Sequence, residues 1–371
     1  MISVVVPSLN EEKTIADVIM KAKKALEEMK LPYEIIVSDN STDRTPEVAR
    51  SLGARVLTPD RLGYGYAYRY AFMHVKGDYI VMGDADGTYD FSEMPKLLEP
   101  LMKGEADLVI GTRLRGRIMK GAMPWLHRYI GNPLLTWLLN RFYRVNVSDS
   151  QCGFRAMTKN ALEKLNLRSD GMELATEILI KARQKGLRIK EVPITYYPRA
   201  EGTASKIKSF RDGWRHVKHI LLYTPKHLYI YPGFIMVALG FILMLAAAFN
   251  IALGYSPGIH SSILGGMLAI LGYNMIVLGA LADAYLSLIL GTGVMRITSL
   301  LKGVAEKGMA IGAILFATGF AYLLFLFIQW VNSGFRYLPL RGQNMLALTA
   351  LVLGAQTVIY SFIFEFIKSM K

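Results

Sequence analysis

The chain has 371 residues, a formal net charge of +14 and 52% hydrophobic residues. Strong basicity with high apolar content suits neither a nucleic-acid binder nor an ordinary soluble enzyme, and the length allows one large domain or two of usual size. The two properties separate along the chain: of 43 Lys and Arg, seven lie beyond residue 226, with three of the 29 Asp and Glu. A single cysteine, Cys152, excludes an intramolecular disulfide and fits a reducing compartment.

In chain order, ISVVVP (2–7) reads as a first strand, with no signal peptide expected before it. A helix-like stretch follows to about Met29, then a strand EIIVSD (34–39) and a helix capped by Ser41 or Thr42 and stopped at Gly53. ARVLT, a helix over 64–76, the strand YIVMGD, a helix from about Ser92 and ADLVIGT (106–112) complete the series. Strands alternating with helices predict a mostly parallel sheet covered on both faces. Residues 113–144 carry seven Lys or Arg, no acid, and interleaved Trp125, Tyr129, Trp137 and Tyr143; Pro133 is expected to split them into two short helices. That composition suits a helix lying in the headgroup layer. In SKIKSFRDGWRHVKHILLY (205–223), Ile207, Phe210, Trp214, Val217 and Leu221 make one apolar stripe beside Lys206, Lys208, Arg211, Arg215 and Lys218. The stripe suits a membrane interface or a helix packed on a soluble core. Four runs, roughly 230–253, 262–290, 309–331 and 344–366, are long and apolar enough to cross a bilayer.

The expected organisation is therefore a cytoplasmic α/β domain (1–200), an amphipathic interfacial region (201–228) and a four-helix membrane domain (229–371). The loop 291–308 carries Arg296, Lys302 and Lys307, and the tail carries Lys368 and Lys371, whereas 254–261 has no Lys or Arg. This bias places the front domain and the C-terminus in the cytoplasm, against the two arginines Arg336 and Arg341.

Ligands on such sheets bind beyond the carboxyl ends of the strands. Those ends carry Pro7–Glu11, Asp39, GDADGTYD (83–90) and GTR (111–113). Dinucleotide binding needs Gly-x-Gly-x-x-Gly after the first strand; PSLNEE stands there, with two glutamates that would repel a phosphate. Crowding Asp84, Asp86 and Asp90 suits a solvated turn or a hard cation such as Mg²⁺ or Mn²⁺ that bridges to substrate phosphates. Asp39 is placed to accept bonds from a ribose or base.

Together VVVPSLNEE, VSDNSTD, GDADGTYD, GTR and CGFRAM, in that order, resemble the inverting GT-A glycosyltransferases of family two. Within them the polyprenyl-phosphate sugar synthases, such as the dolichyl-phosphate mannose and glucose synthases, are most similar, over residues 1–220. The resemblance implies a GT-A Rossmann-like fold and a nucleotide-sugar donor held by Pro7, Leu9, Glu11, Val37, Asp39, Asp84, Ala85 and Asp86. It implies a catalytic set of Asp84, Asp86 and Arg113, with Asp86 and Thr88 at the metal. It also implies an acceptor phosphate gripped by Arg113, Arg128, Asn132 and Arg199. Many mannose synthases of the group have DADLQ where this chain has DADGT, so a UDP-sugar is favoured over GDP-mannose.

Such an acceptor explains an absence. A hydroxyl acceptor needs a general base, whereas a phosphate monoester, with a second pKa of about 6, is already ionised. Glu173 and Glu177, one helical turn apart, remain candidates for the site or for capping. A processive polysaccharide synthase is disfavoured because Gln-x-x-Arg-Trp is missing. A lipid-sugar flippase with a regulatory front domain stays open through the intramembrane Asp283 and Glu365, for which snorkelling is the plainer account. The spans suit anchoring, homo-oligomeric assembly or passage of product. No nucleic-acid partner is expected.

Overall fold

The computed structural model describes residues 1–200, 209–252, 254–290, 304–338 and 341–369. It divides into two units, Met1–Leu222 and Tyr223–Lys371. Lys206, Ile207, Lys208, Arg296, Lys302 and Lys371 lie outside the described residues, as do the side chains of Phe210 and Lys368.

The first unit begins β1 (Ile2–Ser8), α1 (Ile15–Met29), β2 (Tyr33–Asp39), α2 (Thr45–Ser51), β3 (Arg55–Leu57), α3 (Tyr64–Phe72) and β4 (Tyr79–Met82). Ile15, Val18, Ile19, Ala22, Ala25 and Leu26 recur at helical spacing and bury one face of α1. Side chains alternate across a strand. Ile2, Val4 and Val6 of β1 thus join the core beside α1, while Val5, on the opposite sheet face, is equally buried. A 3₁₀ turn (Phe91–Glu93) leads into α4 (Met94–Met102) and β5 (Leu108–Ile118).

After β5 the structure departs from the sequence expectation. Residues 113–118 continue the strand, and no break into two helices occurs at Pro133. One helix runs on from 125, with a π turn at His127–Gly131, into α5 (Asn132–Tyr143). Proline lacks an N–H, and its ring crowds the carbonyl four residues back. The wider turn, in which Asn132 N–H donates to the His127 carbonyl, accommodates it. The remaining elements are β6 (Arg155–Thr158), α6 (Lys159–Leu165), α7 (Leu174–Gln184), β7 (Ile189–Tyr196) and α8 (Ser209–Leu222).

The sheet order is β3-β2-β1-β4-β6-β5-β7. All neighbours are parallel except β6, which runs antiparallel to β4 and β5. Register places Ser8 beside Asp39 and Met82 beside Arg155. The loops after β1, β2 and β4 and the loop entering β6 therefore meet at one sheet edge. Helix α8 buries His216 and Ile220, with His216 Nδ1 2.7 Å from Thr176 Oγ1, and leaves Trp214 exposed. The predicted stripe through Trp214 is thus not the packed face, because a satisfied histidine takes that place.

The second unit comprises α9 (Tyr231–Phe249), α10 (Ile259–Leu290), α11 (Val304–Asn332) and α12 (Gly342–Ser369). All four contain a stretch long and apolar enough to cross a membrane, as expected from the sequence. The chain is a multi-pass membrane protein. A π turn at Lys226–Ile230 precedes Pro232 just as another precedes Pro133. Helices α9 and α10 approach through glycines: a Cβ on Gly240 would lie 2.5 Å from the Gly265 carbonyl oxygen. Asp283 is buried, while Glu365 is exposed.

Glu177 and Lys181 on α7 form a 2.5 Å ion pair with both side chains buried, and Glu177 also accepts the N–H groups of Arg168 and Ser169. Lys181→Ala leaves that carboxylate buried without its cation. It is expected to destabilise the first unit by about 3–5 kcal/mol, read as a lower melting temperature of the detergent-solubilised chain.

Candidate active site

Where the strand ends meet, a cavity of about 740 Å³ opens in the first unit. Asp84, Ala85 and Asp86 line it from the loop after β4, and Pro7, Ser8, Leu9 and Glu11 from the loop after β1. Asp84 Oδ1 accepts hydrogen bonds from Tyr64 at 2.9 Å and Tyr68 at 3.5 Å. Asp86 Oδ1 accepts the Thr88 N–H at 3.0 Å and the Thr88 hydroxyl at 2.6 Å. Its other oxygen pairs with Arg199, whose second amino group is 4.0 Å from Glu11. Room for Asp84 comes from Gly153 of CGFR: a Cβ there would stand 3.1 Å from Asp84 Oδ2.

Burial pushes the Asp84 carboxyl up to about 7, and the Asp86 carboxylate adds to the rise. Tyr64, Arg199 and Arg113 pull the other way. The Arg199 guanidinium is the cation that Asp86 meets in this cluster. Among the described residues no three His, Cys, Asp or Glu side chains gather as a protein-only metal cage. A hard cation that keeps water and substrate phosphate oxygens needs only one or two carboxylates. Asp84 and Asp86 fit it.

The other sequence-predicted residues fall elsewhere. Val37 is fully buried in the core, at β2 beside Val6, so its side chain is closed to any nucleotide. Asp39 stands behind the cavity wall, accepting the hydroxyls of Ser8 and Ser41 at 2.5 Å and the Ser41 N–H at 3.1 Å. Those bonds tie together the loops after β1 and β2. Arg113 is buried and donates Nε and Nη2 to Asp149 at 2.8 and 2.9 Å, with its guanidinium 5.0 Å from the Tyr196 ring centre. Burial would raise the Asp149 carboxyl, but this guanidinium outweighs it and holds Asp149 low. Arg128 and Asn132 lie at the π turn, and neither they nor Arg113 line the cavity. Of the two glutamates, Glu177 is spent on α7 and its preceding loop, whereas Glu173 lines the cavity.

Sequence reasoning missed Tyr64, which holds Asp84 and sits in RLGYGYAY, and Asp149, which holds Arg113. It also missed the role of Arg155, which is fully buried and donates to the carbonyls of Cys152, Ala175 and Ser150. These bonds fix the CGF loop under Asp84. No local pattern separates such an arginine from a ligand-binding one; burial does. The cavity is completed by Arg211, Arg215, Lys218 and His219 of α8.

A seven-stranded mixed sheet with acidic residues beyond β4, followed by four apolar helices, defines a membrane-bound GT-A glycosyltransferase. The family model for glycosyl transferase family 2 matches residues 3–166, and that for the glycosyltransferase family 2 C-terminal transmembrane region matches 294–368. The low-salt glycan biosynthesis hexosyltransferase Agl6 of Haloferax volcanii is 45% identical over 364 residues, 98% of this chain and 88% of that protein. A dolichyl-phosphate hexose transferase of the same organism is 34% identical over 214 residues, 57% of this chain and 89% of that protein. Among solved structures, glucosyl-3-phosphoglycerate synthase of Mycobacterium tuberculosis with Mn²⁺, UDP-glucose and phosphoglyceric acid is similar. It is 27% identical and has a TM-score of 0.49, covering 60% of this chain and 78% of that one. The chain belongs to glycosyltransferase family 2.

The folded chain holds the Asp84 proton more tightly than an unfolded chain, whose carboxyl titrates near 3.8. The resulting stability is complete below that value and is lost as pH rises through about 7. In chelator, the chain is expected to melt at a lower temperature at pH 8 than at pH 6. Asp84→Asn should flatten that difference, and a pH series of melting curves for both proteins checks it.

Proposed function

We propose that the chain transfers a hexose, with inversion, from a nucleotide sugar of the UDP-glucose type to a polyprenyl phosphate at the cytoplasmic membrane face. One observation carries this reading: a crowded carboxylate pair with a guanidinium drawn onto it, lining a cavity of substrate size in a chain with four apolar helices. Identity with a hexosyltransferase supports the transferred group, and identity with a dolichyl-phosphate hexose transferase supports the acceptor. The basic 291–308 loop supports the cytoplasmic side.

In this reading Pro7, Leu9, Glu11 and Ala85 frame the nucleotide, and Asp39 acts behind them by holding Ser8 and Ser41 in place. Asp84 and Asp86 would hold Mg²⁺ or Mn²⁺, with Thr88 orienting Asp86. Such a cation, when bound, supplies Lewis-acid stabilisation of the leaving diphosphate. An oxygen of the acceptor phosphate attacks C1 of the sugar opposite the nucleotide. The new C1–O bond forms as the bond to the diphosphate breaks, and the nucleoside diphosphate leaves with the electron pair. An α-linked donor thus gives a β-linked lipid-phosphate sugar. The attacking phosphate is already ionised, so no side chain has to remove a proton. Arg199 lines the same cavity and offers a planar fork for phosphate oxygens.

The test is a panel of labelled nucleotide sugars given to the purified chain with polyprenyl phosphate and Mg²⁺ or Mn²⁺. A UDP-hexose label is expected to become extractable into organic solvent, and chelator to abolish the transfer. Loss of several kcal/mol of charge stabilisation corresponds to about a thousandfold, so Asp86→Ala should lower the rate by that order in a chain that still melts cooperatively. Label that stays aqueous with every donor, or an Asp86→Ala enzyme of normal rate, removes the proposal.

A further inference from the structure

We infer that Tyr89 is a positioning residue for the cation site: its hydroxyl takes the Gly153 N–H and so keeps that donor off the free oxygen of Asp84. The inference rests on the reading of Asp84 and Asp86 as metal ligands. It adds a buried residue that is not part of the cavity lining.

The hydrogen bonds from Tyr64 and Tyr68 both fall on Asp84 Oδ1, which leaves Oδ2 as the oxygen to offer a cation. The backbone of Gly153 lies against that oxygen. A Cβ there would meet Asp84 Oδ2 first, at 3.1 Å, and then the Tyr64 and Tyr89 hydroxyl oxygens, both at 3.3 Å. The Cys152–Gly153 peptide is held at its two ends. Arg155 Nε donates to the Cys152 carbonyl at 2.8 Å, and the Gly153 N–H donates to the Tyr89 hydroxyl oxygen, also at 2.8 Å. A peptide unit is planar, so these two bonds fix its rotation together.

Tyr89 is itself fixed from a third direction. Its ring is stacked on Phe154, with centres 5.6 Å apart and planes 14° from parallel, and lies 5.4 Å from the Tyr196 ring. Its backbone bridges to Tyr196 in β7, and the Thr88 carbonyl next to it accepts the Tyr197 N–H at 3.0 Å. The hydroxyl therefore stands at a place set by β7 and the aromatic stack.

Removing only this hydroxyl leaves a buried N–H without an acceptor, which the loop relieves by turning the peptide. A charged carboxylate oxygen is a stronger acceptor than a phenol, and Asp84 Oδ2 is beside it. An N–H bonded to that oxygen competes with a cation for its lone pairs. The segment that carries both aspartates thus also carries the residue that restrains a loop 64 positions away.

The test uses the full-length chain in detergent with UDP present, and free Mn²⁺ is counted by electron paramagnetic resonance. Tyr89→Phe keeps the ring and is expected to weaken Mn²⁺ binding about tenfold in a chain that still melts cooperatively. Ile19→Val, a change in the core at α1 that also lowers stability, should leave Mn²⁺ binding within about twofold. With the donor that labels lipid, excess Mn²⁺ should return the kcat of Tyr89→Phe to within about threefold of the unaltered chain. Gly153→Ala, which sets a methyl against Asp84 Oδ2, should weaken Mn²⁺ as well. Adding Tyr89→Phe to it should cost less than about twofold more, because the two act on one contact. If the unaltered chain binds Mn²⁺ and Tyr89→Phe binds it as tightly, or excess Mn²⁺ leaves its kcat low, the role of Tyr89 is wrong and the proposed function stands. If the unaltered chain binds no Mn²⁺ with UDP, the metal reading and this inference fall together.

Discussion

Two crowded carboxylates at the end of β4, Asp86 buried and Asp84 half-buried, are the constraint from which the rest of the catalytic unit follows. Asp84 and Asp86 repel one another, a combination tolerated only when donors and cations surround it. The surroundings match that need: Tyr64 and Tyr68 on α3 reach Asp84, Thr88 closes a turn on Asp86, and Arg199 comes from beyond β7 to complete the charge balance. A cation bound here would meet Arg199 as its competitor for Asp86.

The arginines of this unit divide by burial into two kinds. Arg155 donates to three carbonyls and pins the loop that carries Gly153 under Asp84. Arg113 is matched fork to fork with Asp149 and stacked near Tyr196. A buried guanidinium must satisfy its donors within the protein, and these two do so on Asp149 and on the carbonyls of Ser150, Cys152 and Ala175. Arg199, Arg211 and Arg215 instead line the cavity. The family motifs GTR and CGFR thus have a structural meaning here in addition to any contact with ligand.

The two π turns follow from one local cause. Pro133 and Pro232 each stand two residues beyond a π turn, at Gly131 and at Ile230. The missing N–H and the bulk of the ring are absorbed by widening the preceding turn, and both helices continue without a break. An apolar helix at a membrane gains from this, because a full break would expose backbone groups to an apolar medium.

Much of the fold was legible in the chain itself. The strands β1, β2 and β4 are continuous apolar runs because both of their faces are covered, and the four spans declare themselves by length. Acidic and polar residues gather at strand ends by a rule that needs no coordinates. Strands β6 and β7 escaped notice because RAMT is only four residues long and IKEVPITY carries Pro193, which an edge strand tolerates. The partner of a charged side chain was not legible either. Asp149 lies 36 residues from Arg113, and Tyr64 lies 20 from Asp84. Periodicity and motif order determined the class of sheet, the membrane helices and the acidic edge, because each depends on residues near one another in sequence. Only the tertiary structure decided which arginines are buried and which face of α8 lines the cavity, because burial depends on what distant segments pack against.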